Sequence, residues 1–177
     1  HLRDEKTSDA GRRNLADILS ILTDWSAVGS ETATTMRELF AEPAIDPWLS
    51  KVLQGEAEIK QAWLDRGSDV GAKVTPEGRK GFEKHLAQAR ILLTDAWKLR
   101  PDLAQAAVSM ITVAMADQID KPSQWAERAW IADPENAGAF TALTTALLPR
   151  WGGSRAELLA LGQRAAQGPW DSPLPVL

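Results

Sequence analysis

The dipeptide Ala-Trp occurs three times, at residues 62–63, 96–97 and 129–130. Successive copies are spaced by roughly 33–34 residues, which is within the range of known structural repeats. The second and third copies agree beyond the dipeptide, because each is followed by a proline and an acidic residue, Pro101-Asp102 and Pro134-Glu135. Each copy therefore indicates the end of one helix, a turn that proline enforces and the start of another helix rich in small residues. A helix-turn-helix unit repeated at this period predicts a helical fold built from stacked hairpins.

The composition also favours helix over strand. Alanine and leucine are the commonest residues, tyrosine is absent, and no alternating run of β-branched residues occurs. Alanine and leucine are strong helix formers, whereas strands favour β-branched and aromatic residues. Apolar stripes and capping signals together predict an all-α fold with about eight or nine helices.

Start and stop signals divide the chain into four parts. Residues 1–9 are mostly polar and are expected to form a disordered lead-in, and residues 10–45 are predicted to form a helical extension. The repeat domain is predicted over residues 46–168. Three prolines in residues 169–177 preclude regular structure there, so this segment is expected to be an irregular tail.

Inside the repeat domain, Asp46 followed by Pro47 predicts a helix start, because aspartate caps the first free amides and proline fixes φ. We expect this helix to stop at Gly55 and the next one at Gly67, which can take the left-handed conformation of a C-cap. Residues 68–74 are then expected to form a flexible loop. The longest helix is predicted from Thr75 to Pro101, with an apolar stripe at helical spacing formed by Phe82, Leu86, Ala89, Leu93 and Ala96. Further helices are predicted over about 102–116, 122–132 and 135–148, and from the Ser154/Glu157 capping box to Gly168.

A helix-turn-helix period of about 34 residues is that of the tetratricopeptide (TPR) repeats. The stretches Ala96–Asp102 and Ala129–Glu135 resemble the end of the second helix and the inter-repeat turn of that family. After the first Ala-Trp copy, Gly67 takes the place of the expected proline. The resemblance implies antiparallel hairpins stacked into a right-handed α-solenoid, in which the first helices of successive repeats line a concave groove.

Four shorter stretches are similar to an uncharacterised bacterial family with TPR-like repeats. This similarity extends from Asp46 to about Pro169 and implies an architecture, with no activity or catalytic residues attached to it. The stretches are Asp46–Leu49, Ala62–Gly67, Ile111–Met115 and Pro149–Ser154.

Charge and composition exclude several classes of function. Twenty Lys and Arg against 24 Asp and Glu give a net charge of −4, which argues against a nucleic-acid partner because phosphates require a basic face. Cysteine is absent and the histidines are His1 and His85, so we expect no metal and no cofactor. The longest uncharged runs have 14 residues, fewer than the roughly 20 that a membrane helix requires. The chain does not open with the charged and apolar regions of a signal peptide, which favours the cytoplasm. A chain that begins with His1 can, however, be a fragment from which the targeting signal has been removed.

The sequence contains no motif that supports an enzyme. Nucleotide-binding loops, dinucleotide fingerprints and zinc-protease motifs do not occur, so we predict a non-catalytic protein without catalytic residues. His85 has no serine or cysteine nucleophile at a meaningful spacing, which favours a structural role over that of a general base. The acid pairs Glu56 with Glu58 and Asp65 with Asp69 are expected on a solvated face.

Eight tryptophans suggest either core packing or an aromatic binding surface. Trp63, Trp97 and Trp130 recur at repeat-equivalent positions, which favours packing between helices. Trp151 and Trp170 lie in a turn and in the tail, so they are better candidates for exposed contacts.

The most distinctive run extends from Arg150 to Arg155 and contains Trp151 and two glycines. Glycines expose backbone amides at a helix N-terminus, and the flanking arginines can hold a phosphate or a carboxylate there. The alternative is a tight interhelical turn packed by Trp151, and backbone geometry alone accounts for two glycines before a capping box. We favour the turn.

The helices after Pro101 and Pro134 correspond to the first helices of successive repeats, so their polar faces are expected to line the groove. We predict an interaction or scaffold module that binds a peptide or a neighbouring domain in this groove. The alternative for the serine and threonine hydroxyls is that they bond only to backbone carbonyls of their own helices and do not contact a ligand. The rival functions are an enzyme's accessory domain, holding an anionic ligand at the Arg150–Ser154 turn, and a structural spacer or oligomerisation unit. The candidate binding residues are Gln105, Ser109, Thr112, Thr141, Thr145, Arg150 and Trp151.

Overall fold

The structure is a computed structural model that describes residues 46–67 and 73–167. Every regular element within these two ranges is helical, and the all-α prediction is therefore confirmed for them. None of the helices described there is long and apolar enough to cross a membrane. The predicted lead-in, the N-terminal helices, most of the 68–74 loop and the tail lie outside the described residues, so the predicted total number of helices stays a prediction. The chain divides after Pro101 into two compact units.

The first described helix of the first unit is α1, Pro47–Arg66, whose start follows the prediction. Asp46 Oδ1 accepts hydrogen bonds from the backbone amides of Trp48 (3.0 Å) and Leu49 (3.2 Å), so the carboxylate caps the helix. The helix ends at Gly67, whose φ of 73° is a conformation that favours glycine.

The predicted helix end at Gly55 is wrong, because α1 continues through this residue. Gly55 is buried against the second helix, α2 (Pro76–Leu99). A Cβ built on Gly55 would lie 2.6 Å from Leu93 Cγ of that helix. The glycine therefore allows two helices to approach each other closely and does not end one of them.

With 24 residues, α2 is the longest helix in the described ranges, as predicted. The Thr75 hydroxyl caps its start by accepting from the Gly78 amide at 3.0 Å. Phe82, on the predicted apolar stripe, is half-buried, and its ring meets that of Trp63 edge-on with centroids 5.0 Å apart. The other stripe residues are buried, namely Leu86, Ala89, Leu93 and Ala96.

One exposed carboxylate of α2 is held by two lysines. Lys51 of α1 and Lys98 of α2 each place Nζ 3.4 Å from an oxygen of Asp95. The hydrogen bond from Lys51, followed by that from Lys98, lowers the pKa of Asp95 below its ordinary value.

Up to residue 167, where the described part of the second unit ends, this unit contains four α-helices and a short 3-10 turn. They are α3 (Gln105–Asp117), α4 (Pro122–Ala132), α5 (Ala137–Ala146), the 3-10 turn (Pro149–Trp151) and α6 (Arg155–Gln167). The first and third of these helices start slightly later than predicted, because the residues after each proline first form a turn. Asn136 then caps α5, with its Oδ1 accepting from the Ala139 amide at 2.9 Å.

The helices α3 and α5 bury equivalent positions of the repeat. Helix α3 packs against both α4 and α5, and α4 also packs against α5. We use the name repeat shift for the displacement along the sequence that places Ala96 on Ala129. The repeat shift also places buried residues of α3 on buried residues of α5, and one of them on Leu147, the residue that follows α5. The pairs are Ala106 with Ala139, Ala107 with Phe140, Met110 with Leu143, Val113 with Ala146, and Ala114 with Leu147.

The tryptophans confirm the packing prediction in part. In each Ala-Trp copy the alanine is fully buried. Trp130 is also buried, and its ring centroid lies 4.5 Å from that of Phe140, whereas Trp63 and Trp97 are half-buried. Trp48 and Trp125, which the repeat does not single out, are buried more deeply than Trp130.

Candidate functional site

A cleft of about 320 Å³ lies at the C-terminal ends of α3 and α5. Ala114, Met115, Ala146 and Leu147 are buried and form an apolar floor, and polar groups make up about half of the exposed lining. The half-buried Trp151 forms a wall, and the start of α4 and the turn before α6 complete the rim. An apolar floor below a few polar groups is typical of sites that bind a small ligand or a partner's side chain.

Backbone geometry accounts for the two glycines at this rim. Gly152 has a φ of 90°, and a Cβ on Gly153 would overlap the carbonyl group of Leu147. Ser154 Oγ accepts from the Glu157 amide at 3.2 Å, which confirms Ser154 as the predicted cap and one of the two bonds of a capping box. Both glycines therefore serve the turn, and the Glu157 amide is already hydrogen-bonded within the protein.

The two acidic side chains at the cleft are hydrogen-bonded to neighbours. Asp120 Oδ2 accepts from Trp125 Nε1 at 3.1 Å. Glu157 Oε2 accepts from Ser154 Oγ at 2.7 Å. These carboxylates thus orient the loop before α4 and the first turn of α6.

One basic side chain on the rim of the cleft, and one that neighbours its wall, are exposed. Lys121 lines the rim and is exposed, and Arg150 is exposed beside Trp151. The Arg150 guanidinium lies 5.8 Å from the centroid of the Trp151 ring, a cation–π contact. Within the described part of the chain, neither cation forms an ion pair or a side-chain hydrogen bond.

Three of the four hydroxyl groups predicted to line the groove bond to their own helices. Ser109 Oγ donates to the Gln105 carbonyl at 3.1 Å, and Thr141 Oγ1 donates to the Ala137 carbonyl at 3.0 Å. Thr145 Oγ1 likewise donates to the carbonyl of Thr141 at 3.2 Å. These bonds are the ones that the alternative interpretation predicts, although each hydroxyl oxygen can still accept a further bond.

The helices α3 and α5 lie side by side where a Cβ on Gly138 would be 3.5 Å from Val108 Cγ1. Residues three, four and seven positions apart share a helix face. Four predicted binding residues lie three, four or seven positions from Val108 or Gly138 and so share the faces along which α3 and α5 meet. We call this surface the α3/α5 seam. The four residues are Gln105 and Thr112 on α3, and Thr141 and Thr145 on α5.

A polar cluster between α1 and α2 was not predicted from the sequence. The half-buried His85 places Nδ1 2.5 Å from Glu58 Oε2 and Nε2 3.5 Å from Asp65 Oδ2. Gln61 Nε2 donates to Asp65 Oδ1 at 2.6 Å. The prediction of a solvated face is wrong for Glu58, which is only 8% exposed because its carboxylate meets the imidazole of the other helix.

The contacts of this cluster join α1 to α2. Both ring nitrogens of His85 face carboxylates, and no group of three His, Cys, Asp or Glu among the described residues is arranged to hold a metal ion. A Cβ on Gly81 would overlap the Asp65 side chain, so this glycine allows α2 to approach the cluster. The sequence signal for the cluster is the spacing of Glu58, Gln61 and Asp65, which places them on one face of α1.

Comparison with known proteins supports a family assignment. No curated protein and no solved structure matches the chain significantly. The profile of one family, described as a domain of unknown function (DUF4034), matches residues 22–173. This match covers most of the chain, including every described residue, and we therefore conclude that the protein belongs to the DUF4034 family.

Proposed function

We propose that this protein is a non-catalytic interaction module whose second unit binds a peptide segment of a partner protein along the α3/α5 seam. The observation that carries the proposal is that this seam presents uncharged polar side chains and ends near a cleft with an apolar floor. Such a surface offers hydrogen bonds to a peptide and one pocket for an anchoring side chain.

The internal repeat supports a TPR-like arrangement of the second unit. In this arrangement α3 and α4 correspond to one hairpin, and α5 and α6 to the next. The contact between α3 and α5 is then the one expected between first helices of successive repeats. The buried positions related by the repeat shift support the same correspondence, as does the equivalence of Thr112 and Thr145 on the seam.

The chemistry of the seam suits a peptide backbone. Thr141 and Thr145 are exposed, and their hydroxyl hydrogens are directed at carbonyls of their own helix. Their oxygens can therefore accept hydrogen bonds from peptide N–H groups. The uncharged surface avoids the desolvation cost that a charged groove would add to binding.

Two observations favour binding over catalysis. The imidazole of His85 is engaged by carboxylates, so it is not paired with a nucleophile. The turn that holds Gly152 and Gly153 needs both glycines for its backbone geometry, which removes the main argument for an anionic substrate there.

The proposal is tested by selecting a random peptide library, displayed on phage, against the full 177-residue chain. Affinities of the enriched peptides are measured by fluorescence anisotropy. The Thr141→Arg/Thr145→Arg variant places two long side chains on the seam, and we expect it to weaken binding by about tenfold or more. The Gln88→Arg/Gln163→Arg variant adds the same charge at exposed helical positions and should bind normally.

Enrichment of no peptide at all would contradict the proposal and favour a structural spacer. Equal weakening by the seam variant and its control would contradict it as well, because the effect would then be one of charge alone. Circular dichroism of both variants checks that their helical content is unchanged.

A further inference from the structure

We propose that the cleft at the end of the α3/α5 seam is an anchor pocket for an apolar or aromatic side chain that has an acidic residue next to it in the partner's sequence. This inference rests on the proposed function and specifies the chemistry of the peptide. Its two parts come from the floor of the cleft and from its rim.

The floor determines the anchoring side chain. Ala114, Met115, Ala146 and Leu147 offer apolar surface and no charged group. A volume of about 320 Å³ is at the small end of the range for ligand sites, which suits a single large side chain. Methionine adapts its shape to different apolar partners, and Trp151 supplies an aromatic face for stacking.

The rim determines the charge of the neighbouring residue. Asp120 and Glu157 are hydrogen-bonded to Trp125 and Ser154. Lys121 and Arg150 have no such partner among the described residues. The charges that a ligand can still pair with are therefore Lys121 on the rim and Arg150 beside the Trp151 wall.

Arg150 is well placed to recognise a carboxylate. Its guanidinium lies 5.8 Å from the centroid of the Trp151 ring, and its N–H groups can donate a bidentate pair of hydrogen bonds to a carboxylate. Because Trp151 also forms the wall of the cleft, a side chain against this wall brings the next residue of the peptide close to Arg150. The pocket and the cation thus select for adjacent residues.

The test uses the peptides selected on the full chain. We expect the enriched sequences to share an apolar or aromatic residue beside Asp or Glu. The Lys121→Glu/Arg150→Glu variant, which we call the rim variant, should weaken binding of these peptides by about tenfold or more. A fresh selection on the rim variant should enrich Lys or Arg at the position where the first selection enriched Asp or Glu. The control is Lys80→Glu/Lys84→Glu, which makes the same change in net charge at exposed positions of α2 and should leave affinity and selection unchanged.

The outcomes separate this inference from the proposed function. Peptides that depend on the seam but lack the apolar–acidic pair, or that bind the rim variant with unchanged affinity, overturn the inference and leave the seam as the binding surface. Failure to enrich any peptide overturns both. A concentration-dependent mass in sedimentation that disappears in the rim variant means that a second copy of the chain occupies the cleft, which also overturns the inference.

Discussion

Replacing Gly55 with alanine tests the close approach of α1 and α2. In a helix interior this change normally stabilises a protein by about 0.8–1 kcal/mol. Here the new Cβ would lie 2.6 Å from Leu93 Cγ and 2.8 Å from Leu93 Cδ2, against roughly 3.5–4.0 Å for a favourable carbon contact. Leu93 is fully buried and cannot move into solvent. Overpacking of this kind costs about 1–3 kcal/mol, so we expect the free energy of unfolding to fall by about 1 kcal/mol.

The coupling with Leu93 makes this prediction specific. Leu93→Ala alone should cost about 2–5 kcal/mol, because it opens a cavity. On that background the methyl group introduced by Gly55→Ala occupies part of the cavity, so this substitution should become stabilising. Urea unfolding of the four proteins, followed by tryptophan fluorescence, measures both effects.

A second glycine provides the control for helix propensity. Gly162 lies in α6, and a Cβ built there meets no atom within 4 Å. Gly162→Ala should therefore be neutral or stabilising, by up to about 1 kcal/mol. If Gly55→Ala stabilises the chain as Gly162→Ala does, or has the same effect with and without Leu93, the reasoning about close approach is refuted.

Three further predictions concern other contacts. His85→Ala should lower the free energy of unfolding by about 2–4 kcal/mol, because it leaves the buried Glu58 carboxylate without the imidazole; full additivity with Glu58→Gln in urea unfolding would contradict this pairing. Trp130→Ala should cost about 3–5 kcal/mol and more than Trp151→Ala, since Trp130 is the more buried; thermal melts of both variants give the order. The lowered pKa of Asp95 means that its two lysine contacts stabilise the fold above the ordinary aspartate pKa and that this contribution disappears as the pH falls through the lowered value. In urea unfolding, the free energy of unfolding of Asp95→Asn should therefore be slightly lower than that of the wild type at neutral pH. The two values should converge in strong acid.

Local signals in the sequence were sufficient for most helix boundaries. Asp46, Thr75 and Ser154 cap the helices that they were predicted to open, because a cap needs only a side chain and the amides a few residues later. A proline likewise affects only the residues next to it, because it fixes its own φ and cannot continue a preceding helix. Buried positions on α2 followed from periodicity, since a helix face is fixed by spacing alone.

Contacts between helices could not be predicted in this way. A glycine that ends a helix and one that admits a neighbouring helix have the same sequence signal, and Gly55 belongs to the second kind. Glu58 is buried because His85 lies opposite it on another helix, which no spacing within α1 reveals. The same limit applies to the candidate site. The seam residues were predicted from periodicity within single helices. The cleft could not be predicted in this way, because it forms only where the ends of α3 and α5 come together.

Helix α6 is attached to the second unit in a different way from the helices before it. Within the described part of the chain it buries one residue, Leu161, and Arg164 adds an ion pair with Glu127 and a contact 4.1 Å from the Trp130 ring centroid. Salt weakens the ion pair, since the Debye length falls from about 10 Å at 0.1 M to about 3 Å at 1 M, but it does not weaken apolar burial. Amides of α6 should therefore exchange with solvent faster than those of α3, and increasingly so as salt is added. Because Glu157 of this helix borders the cleft, we expect that side of the cleft to open more often as the ionic strength rises.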